Sequence, residues 1–307
     1  MSEKYDVIII GAGPAGLTAA TCTSRKGLNT LIIEKEMFGG ALMNRDLIEN
    51  YPGHSEILGP NLASKMLDQA TSLGAVMEMG IVEQINIEDD HKIVKTDQEK
   101  YRGRAIIIAG GTYPKKLGIP GEEKLAGKGV IHCATCDGPL YKDKLVAVVG
   151  SKNDAIYEAL SLAKFTSKVI VIHRGEKLRT EKVLSDKAQS QTNIEFIRET
   201  IVTEVFGDNF VSGIQLNNLN TGETSTLNVD GVCIAVGSKP NTDFLAGNIK
   251  LGAVGAIPVN VNMETEIPGI FAAGNIREGS PMQVASAVGD GATAAMAVEN
   301  YINAKLR

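Results

Sequence analysis

Cys133-Ala134-Thr135-Cys136 places two thiols two residues apart, close enough for their sulfurs to meet in a small ring. Such a pair cycles between dithiol and disulfide, one thiolate attacking a substrate disulfide and the other resolving the mixed disulfide. Asp137 follows directly, where a carboxyl group can give a proton to a leaving thiolate or remove one. His132, just before the pair, reads as a tuning base or as a surface residue, and the surface reading is favoured. The competing assignment is half of a zinc site. Zinc asks for a second pair or for histidines at metal spacing. Cys22 and Cys233 stand alone, and His54, His91 and His173 are scattered along the chain. Cys22 in AATCTSRK and Cys233 in GVCIAVG read as small buried hydrophobes on a helix and a strand.

The second constellation is Gly11-x-Gly13-x-x-Gly16, directly after the apolar run YDVIII. Gly11 makes the turn, Gly13 lets a pyrophosphate approach the backbone, and Gly16 lets helix and strand pack closely. The helix N-terminus then offers free N–H groups to phosphates. Glu34 ends the next strand-like run, placed to accept hydrogen bonds from an adenosine ribose.

The elements that carry these groups form an internal repeat. YDVIIIGAG, PAGLTAATCTSRKG and NTLIIEKE read as strand, helix and strand. KLVAVVG, a helix through Ala163 and Lys164, and KVIVIHR repeat the unit. The copies align without a gap: Gly11 matches Gly150 and, 23 residues later in each, Glu34 matches His173. Short strands follow over 76–110, near 194–216 and over 225–237, and the tail from IPGIFAAGN reads as strand, turn and helix. The expected class is α/β, with two dinucleotide-binding (Rossmann-like) domains, the second inserted into the first. The expected boundaries are 1–113 with 244–307 for the first domain and 114–243 for the second, with linkers PKKLG and KPNTD.

Composition narrows the function. A 307-residue chain with 43% hydrophobic and 22% charged residues has enough apolar content for two cores, so disorder is not expected. A net charge of −5 lacks the basic face that nucleic acid calls for. No apolar run is long enough to span a bilayer. MSEKYDVIII enters a strand at once, without a cleavable leader, so the expected location is cytoplasmic. Four cysteines are too few for a secreted disulfide scaffold.

Nearly end to end, the chain resembles the low-molecular-weight thioredoxin reductases. The likeness is carried by GAGPAG at 11–16, GG at 39–40, ENYPG at 49–53, CATCDG at 133–138, and IPGIFAAGN followed by QVASAVGDGATAA at 267–295. The resemblance implies that FAD is held by the first glycine loop and the tail. The implied contacts are Gly11, Gly13, Pro14, Ala15, Gly16, Glu34, Gly40, Asn50, Gly274, Asn275, Gln283 and Val284. It further implies that Cys136 faces the flavin, that Cys133 attacks the disulfide of thioredoxin, that Asp137 is the acid–base residue, and that the protein is a homodimer. A related branch of flavin-dependent dithiol oxidases tends to carry His after the second Cys, so Asp137 favours a reductase. Two positions depart from the family pattern: Asn275 stands for the usual Asp after FAAG, and Ala41 for the usual Gln after GG.

A third departure concerns the electron donor. The family binds NADPH at the second unit through a glycine triad and an H-R-R-x-x-x-R stretch. Here the loop reads Gly150-Ser151-Lys152-Asn153-Asp154-Ala155, and His173-Arg174 is followed by Gly175, with Arg179 retained. A lysine at the central glycine stands where the pyrophosphate approaches, Asp154 adds negative charge at the anion site, and one cation of the 2′-phosphate clamp is gone. The chain is thus most similar to the ferredoxin-dependent flavin thioredoxin reductases, which lack the NADPH signatures. The alternatives are an NAD(P)H-dependent enzyme with a divergent motif, an oxygen-dependent dithiol oxidase, and a flavin-bound redox sensor. The last is disfavoured by the intact C-A-T-C-D.

Overall fold

A computed structural model describes residues 4–45, 47–88, 91–245, 247–252 and 254–305. The chain divides into two compact units, Met1–Tyr113 with Lys239–Arg307, and Pro114–Ser238.

The first unit starts with β1 (Lys4–Ile10), α1 (Pro14–Arg25), β2 (Thr30–Glu34), a short hairpin of β3 (Leu47–Ile48) and β4 (Ile57–Leu58), and α2 (Gly59–Ser72). Then follow β5 (Val76–Met79), β6 (Val82–Ile87), β7 (Lys92–Thr96), β8 (Lys100–Ile108) and the crossing strand β9 (Thr112–Pro114). Its sheet runs β5-β2-β1-β8-β7-β6, with β19 (Ile270–Ala272, in the returning segment) also on β8. Pairing is parallel from β5 to β8 and at β19, and antiparallel across β6, β7 and β8.

The central strands are apolar throughout because both faces are covered. Val7 and Ile9 point to one side, into a cluster with Leu17, Ala20, Ala294 and Val298 of the helices. Ile8 and Ile10, one residue out of phase, join Ile85, Val94, Leu245 and Ile257 on the other. The returning segment ends in the long helix of the unit (Val284–Lys305).

The second unit holds β10 (Val130–Ile131), α3 (Ala134–Asp137), β11 (Leu145–Val149), α4 (Asn153–Leu162), β12 (Lys168–Ile172), α5 (Lys182–Gln189) and β13 (Ile194–Ile197). The antiparallel trio β14 (Thr200–Phe206), β15 (Gly213–Asn218) and β16 (Thr224–Asn228) precedes β17 (Gly231–Ile234) and the second crossing strand β18 (Ser238–Pro240). The main sheet is parallel, ordered β10-β17-β11-β12-β13. Val146, Val148, Val169 and Val171 pack with α4, and the alternate residues Ala147, Val149, Ile170 and Ile172 pack with β14, β15 and Val229. We label the helix Val284–Lys305 α6.

The repeat seen in the sequence recurs in the backbone bonds. Gly11 N donates to Ile33 O at 2.8 Å, and Gly150 N donates to Ile172 O at 3.0 Å. Ala109 N donates to Ile10 O at 2.8 Å, and Ala235 N donates to Val149 O at 2.9 Å. One boundary differs from the sequence reading. The first unit resumes at Lys239 rather than 244. Residues 239–243 are tied to it: Asn241 N donates to Gly111 O at 3.0 Å and Lys239 Nζ lies 5.6 Å from the centre of the Tyr113 ring. Among the described residues no helix is long and apolar enough to cross a membrane.

Candidate active site

The first glycine loop has the three environments its spacing predicts. Gly11 has φ +104°, and a Cβ there would lie 2.5 Å from Ala109 O. A Cβ on Gly16 would lie 1.9 Å from Gly11 O, so helix and turn touch through backbone. A Cβ on Gly13 would meet nothing within 4 Å. The middle glycine therefore leaves an open cradle at the N-terminus of α1, where Gly13 is the N-cap in extended conformation and Pro14 supplies the first helical residue. Ala15 is buried. The second glycine pair closes over this loop: Gly39 N donates to Ala12 O at 2.7 Å, and Gly40 has φ +51° with its notional Cβ 3.3 Å from Gly13 Cα.

Glu34 is buried at the end of β2, and its carboxylate is already engaged. Oε2 accepts the Ala12 amide at 2.7 Å, and Oε1 accepts those of Lys35 and Glu36 at 2.9 and 3.0 Å. Sequence reasoning gave Glu34 a ligand to hold; the structure gives it the loop as well.

The tail meets this loop through small residues. Gly274 has φ +80° and a notional Cβ 2.9 Å from Ala15 Cβ, and a Cβ on Gly291 would lie 2.2 Å from Ala15 O. Asn50 and Gln283 are brought together, Nδ2 of Asn50 donating to Oε1 of Gln283 at 2.9 Å. Val284 opens α6. Asn275 is half-buried in a 3-10 turn over 274–276, and Ser280 Oγ donates to its Oδ1 at 3.4 Å. An amide at this position has a donor nitrogen that a carboxylate lacks. Ala41 is exposed. A cradle open at Gly13, bordered by glycine turns from three separate segments, fits a dinucleotide.

Sequence reasoning missed Asp290 and Arg277. Asp290 Oδ2 accepts Arg277 Nε at 2.6 Å and the Gly274 amide at 3.1 Å, and Oδ1 accepts Arg277 Nη2 at 2.9 Å. This two-pronged pair, nearly closed to solvent, pins the turn that carries Gly274 and Asn275. Asp290 sits in GDGATAA, where glycines drew the attention and no spacing rule marks a carboxylate.

In the second unit Cys133 and Cys136 form a disulfide with Cα atoms 5.4 Å apart. They lie on the one-turn helix α3, where the sequence suggested only a turn. Cys133 is its N-cap and its Sγ accepts the Cys136 amide at 3.1 Å. Cys136 is the exposed member of the pair. Burial raises the pKa of Asp137 above the ordinary aspartate range, against a smaller opposite effect of His132. Asp137 is thereby suited to hold a proton beside the pair. His132 is half-buried, its Nδ1 3.2 Å from Ile234 O, so it is less of a surface group than expected. Cys22 lies in α1 and Cys233 in β17, as free thiols. Burial pushes both thiols up, Cys233 strongly. Among the described residues no cluster of His, Cys, Asp or Glu could hold a metal.

The second glycine loop departs from the first. Gly150 keeps the turn, its notional Cβ 2.2 Å from Ala235 O. At the position of the open middle glycine stands Lys152, exposed and in extended conformation. The loop is roofed by chain from beyond β12: Arg179 N donates to Ser151 O at 2.7 Å, and Asn153 Oδ1 accepts from Thr180 Oγ1 and Glu181 N at 2.7 and 3.0 Å. His173 is buried, burial being the largest cause lowering its pKa, and Arg174 is exposed.

A fold of two Rossmann-like units with parallel sheets, one with an open glycine cradle and the other with a redox disulfide, defines a flavoprotein disulfide oxidoreductase. Residues 5–291 match the family described as pyridine nucleotide-disulphide oxidoreductase. The thioredoxin reductase of Bacillus subtilis (strain 168) is 43% identical over 305 residues, spanning 98% of this chain and 96% of that protein. The crystal structure of Lactococcus lactis thioredoxin reductase superposes with a TM-score of 0.96 at 37% identity, covering 98% of this chain and 99% of the other. That of T. acidophilum thioredoxin reductase gives 0.94 at 34% identity, covering 99% of each. The chain belongs to the low-molecular-weight thioredoxin reductase family. FAD is its cofactor.

Proposed function

We propose that this protein is a thioredoxin reductase that draws its electrons from reduced ferredoxin rather than NADPH. The observation that carries the choice of donor is Lys152, a side chain at the one position where the first loop leaves open space. Gly175 in the stretch after β12 removes a second feature of an NADPH site. FAD, when bound, accepts electrons from the donor and delivers them to the disulfide. The residues proposed to hold it are Gly11, Gly13, Pro14, Ala15, Gly16, Glu34, Gly40, Asn50, Gly274, Asn275, Gln283 and Val284. Cys136 takes the position towards the flavin. In the reduced pair the Cys133 thiolate attacks one sulfur of the thioredoxin disulfide, forming a mixed disulfide and releasing a thiolate. Asp137 gives that thiolate its proton. Cys136 then attacks Cys133 Sγ, restoring the internal disulfide and freeing the second thioredoxin thiol. On the family resemblance, the enzyme is a cytoplasmic homodimer.

The competing reading, NADPH as donor, draws on the intact Gly150 turn and on the exposed cations Lys152, Arg174 and Arg179 beside it. Rapid anaerobic mixing separates the two. Oxidised protein is mixed with NADPH and, separately, with reduced ferredoxin, and the visible flavin band is followed. Bleaching by ferredoxin alone is expected. Rapid, saturable bleaching by micromolar NADPH overturns the choice of donor.

A further inference from the structure

Glu158 lies in the middle of α4, and its Oε2 accepts the amide of Ala134 at 2.6 Å. Ala134 is fully buried and follows Cys133 in the chain, so this bond anchors the redox turn at the residue beside one of its sulfurs. Two opposed influences meet at Cys133. The Cys136 amide donates to its Sγ, which favours a thiolate there. The Glu158 carboxylate, one peptide away, disfavours a second negative charge.

Titratable and charged groups around the turn include Asp137 on α3, His132 at the end of β10, Tyr141 in the 3-10 turn after α3 with Lys144 Nζ 5.8 Å from its ring centre, Cys233 on β17, and Asp230 just before β17. The field of Glu158 reaches sulfur in this pocket. After burial, Glu158 is the next contributor raising the Cys233 thiol, followed by Asp137. Asp137 and Cys233 in turn raise Tyr141, after burial. His132 opposes these effects at Asp137.

We propose that Glu158 is a positioning residue that seats the redox turn through the Ala134 amide and, by its charge, disfavours ionisation of the Cys133 thiol when the pair is reduced. The role rests on the pair being redox-active, and on neither the donor nor the substrate named above. At pH values above both thiol pKa values the reduced pair is ionised, so anything that eases ionisation makes the disulfide easier to reduce. A tenfold change in that ionisation is then a tenfold change in the redox equilibrium, about 30 mV for a two-electron couple.

The test uses the FAD-loaded protein with chemical reductants alone. The pair is reduced with dithiothreitol under argon, the reductant is removed, and the rate of iodoacetamide modification of Cys133 is followed against pH by fragment-ion mass, which separates Cys133 from Cys136 on the same peptide and from Cys22. In Glu158→Gln, an acceptor remains but the charge is gone. Its profile is expected about one pH unit below wild type, and its midpoint against glutathione at pH 9 about tenfold, or about 30 mV, less reducing. Glu158→Asp, which keeps the charge, is expected within a few tenths of a unit of wild type. Glu158→Met is a second neutral variant, and whichever neutral variant retains FAD and its circular dichroism decides. A neutral variant with the wild-type profile and midpoint overturns the proposal. Thioredoxin and ferredoxin do not enter, so failure here and failure of the donor assignment read out separately.

Discussion

The carboxylate of Glu34 holds the amide of Ala12 at 2.7 Å across 22 residues of sequence, so the acid at the end of β2 fixes the glycine loop at the end of β1. Glu34→Ala leaves the buried Ala12 N–H without a partner, which costs about 1–3 kcal/mol. The apoprotein melting temperature is expected to fall and FAD to be released more readily. Thermal denaturation with and without added FAD checks both. An apoprotein as stable as wild type shows that the bond does not hold the loop.

Gly13 and Gly16 separate ligand space from packing. Gly16→Ala drives a Cβ to 1.9 Å from Gly11 O and is expected to abolish soluble, folded protein. Gly13→Ala meets nothing in the protein and loses only the N-cap preference for glycine, about 1 kcal/mol or less. Its apoprotein is expected to fold normally and to bind FAD at least tenfold more weakly, measured by flavin fluorescence titration. Undiminished FAD affinity in Gly13→Ala contradicts the cradle.

Arg277 and Asp290 form a pair with little solvent contact, so removing one partner strands the other's charge. Asp290→Ala is expected to cost about 3–5 kcal/mol. It also frees the Gly274 amide and so loosens the turn that carries Asn275. Denaturant unfolding of the FAD-loaded protein measures the loss. A cost under about 1 kcal/mol, the range of an exposed pair, removes the claim that the pair pins the turn.

Asp137 carries a pH signature. Its folded pKa is raised by burial, so the folded state binds the proton at pH values where the unfolded state has released it. Stability therefore falls as pH rises from the ordinary aspartate range through the raised folded pKa, and the deficit persists at neutral pH. Asp137→Asn is expected to flatten that part of the stability–pH curve. It is also expected to slow disulfide exchange by about 10²–10⁴-fold. Exchange at the wild-type rate in Asp137→Asn rejects the acid–base assignment.

The architecture was legible where chemistry repeats. Strand, glycine turn, helix and strand occur twice at one spacing, and the backbone bonds of Gly11 and Gly150 are counterparts. The Cys133–Cys136 disulfide was legible because a redox pair is local in sequence. Asn50 and Gln283, 233 residues apart, were placed by family resemblance and do touch. Glu158 and Asp290 were not legible. Each is one acid on a helix, and its partners, a backbone amide for both and the Arg277 guanidinium for Asp290, are brought to it by tertiary packing, which no periodicity records. The compact units divide at Lys239, five residues before the boundary read from the sequence, and β18 there is a three-residue strand, Ser-Lys-Pro, with no alternation to mark it. The loop at Lys152 was read as damaged from residue type alone. The structure adds that the lysine is exposed and that Arg179, Thr180 and Glu181 bond to the loop beside it.

The central claim is that electrons leave this protein through Cys133 and Cys136, and a single-turnover measurement addresses it directly. The flavin is fully reduced under argon in wild type, Cys133→Ser and Cys136→Ser, and each is mixed with oxidised thioredoxin while new thioredoxin thiols are counted. Wild type is expected to release thioredoxin with both thiols free rapidly, while Cys133→Ser stays at background and Cys136→Ser stops at the mixed disulfide, with one thioredoxin thiol per enzyme, although the flavin of both is reduced. Thioredoxin reduced at close to the wild-type rate by either variant contradicts the account.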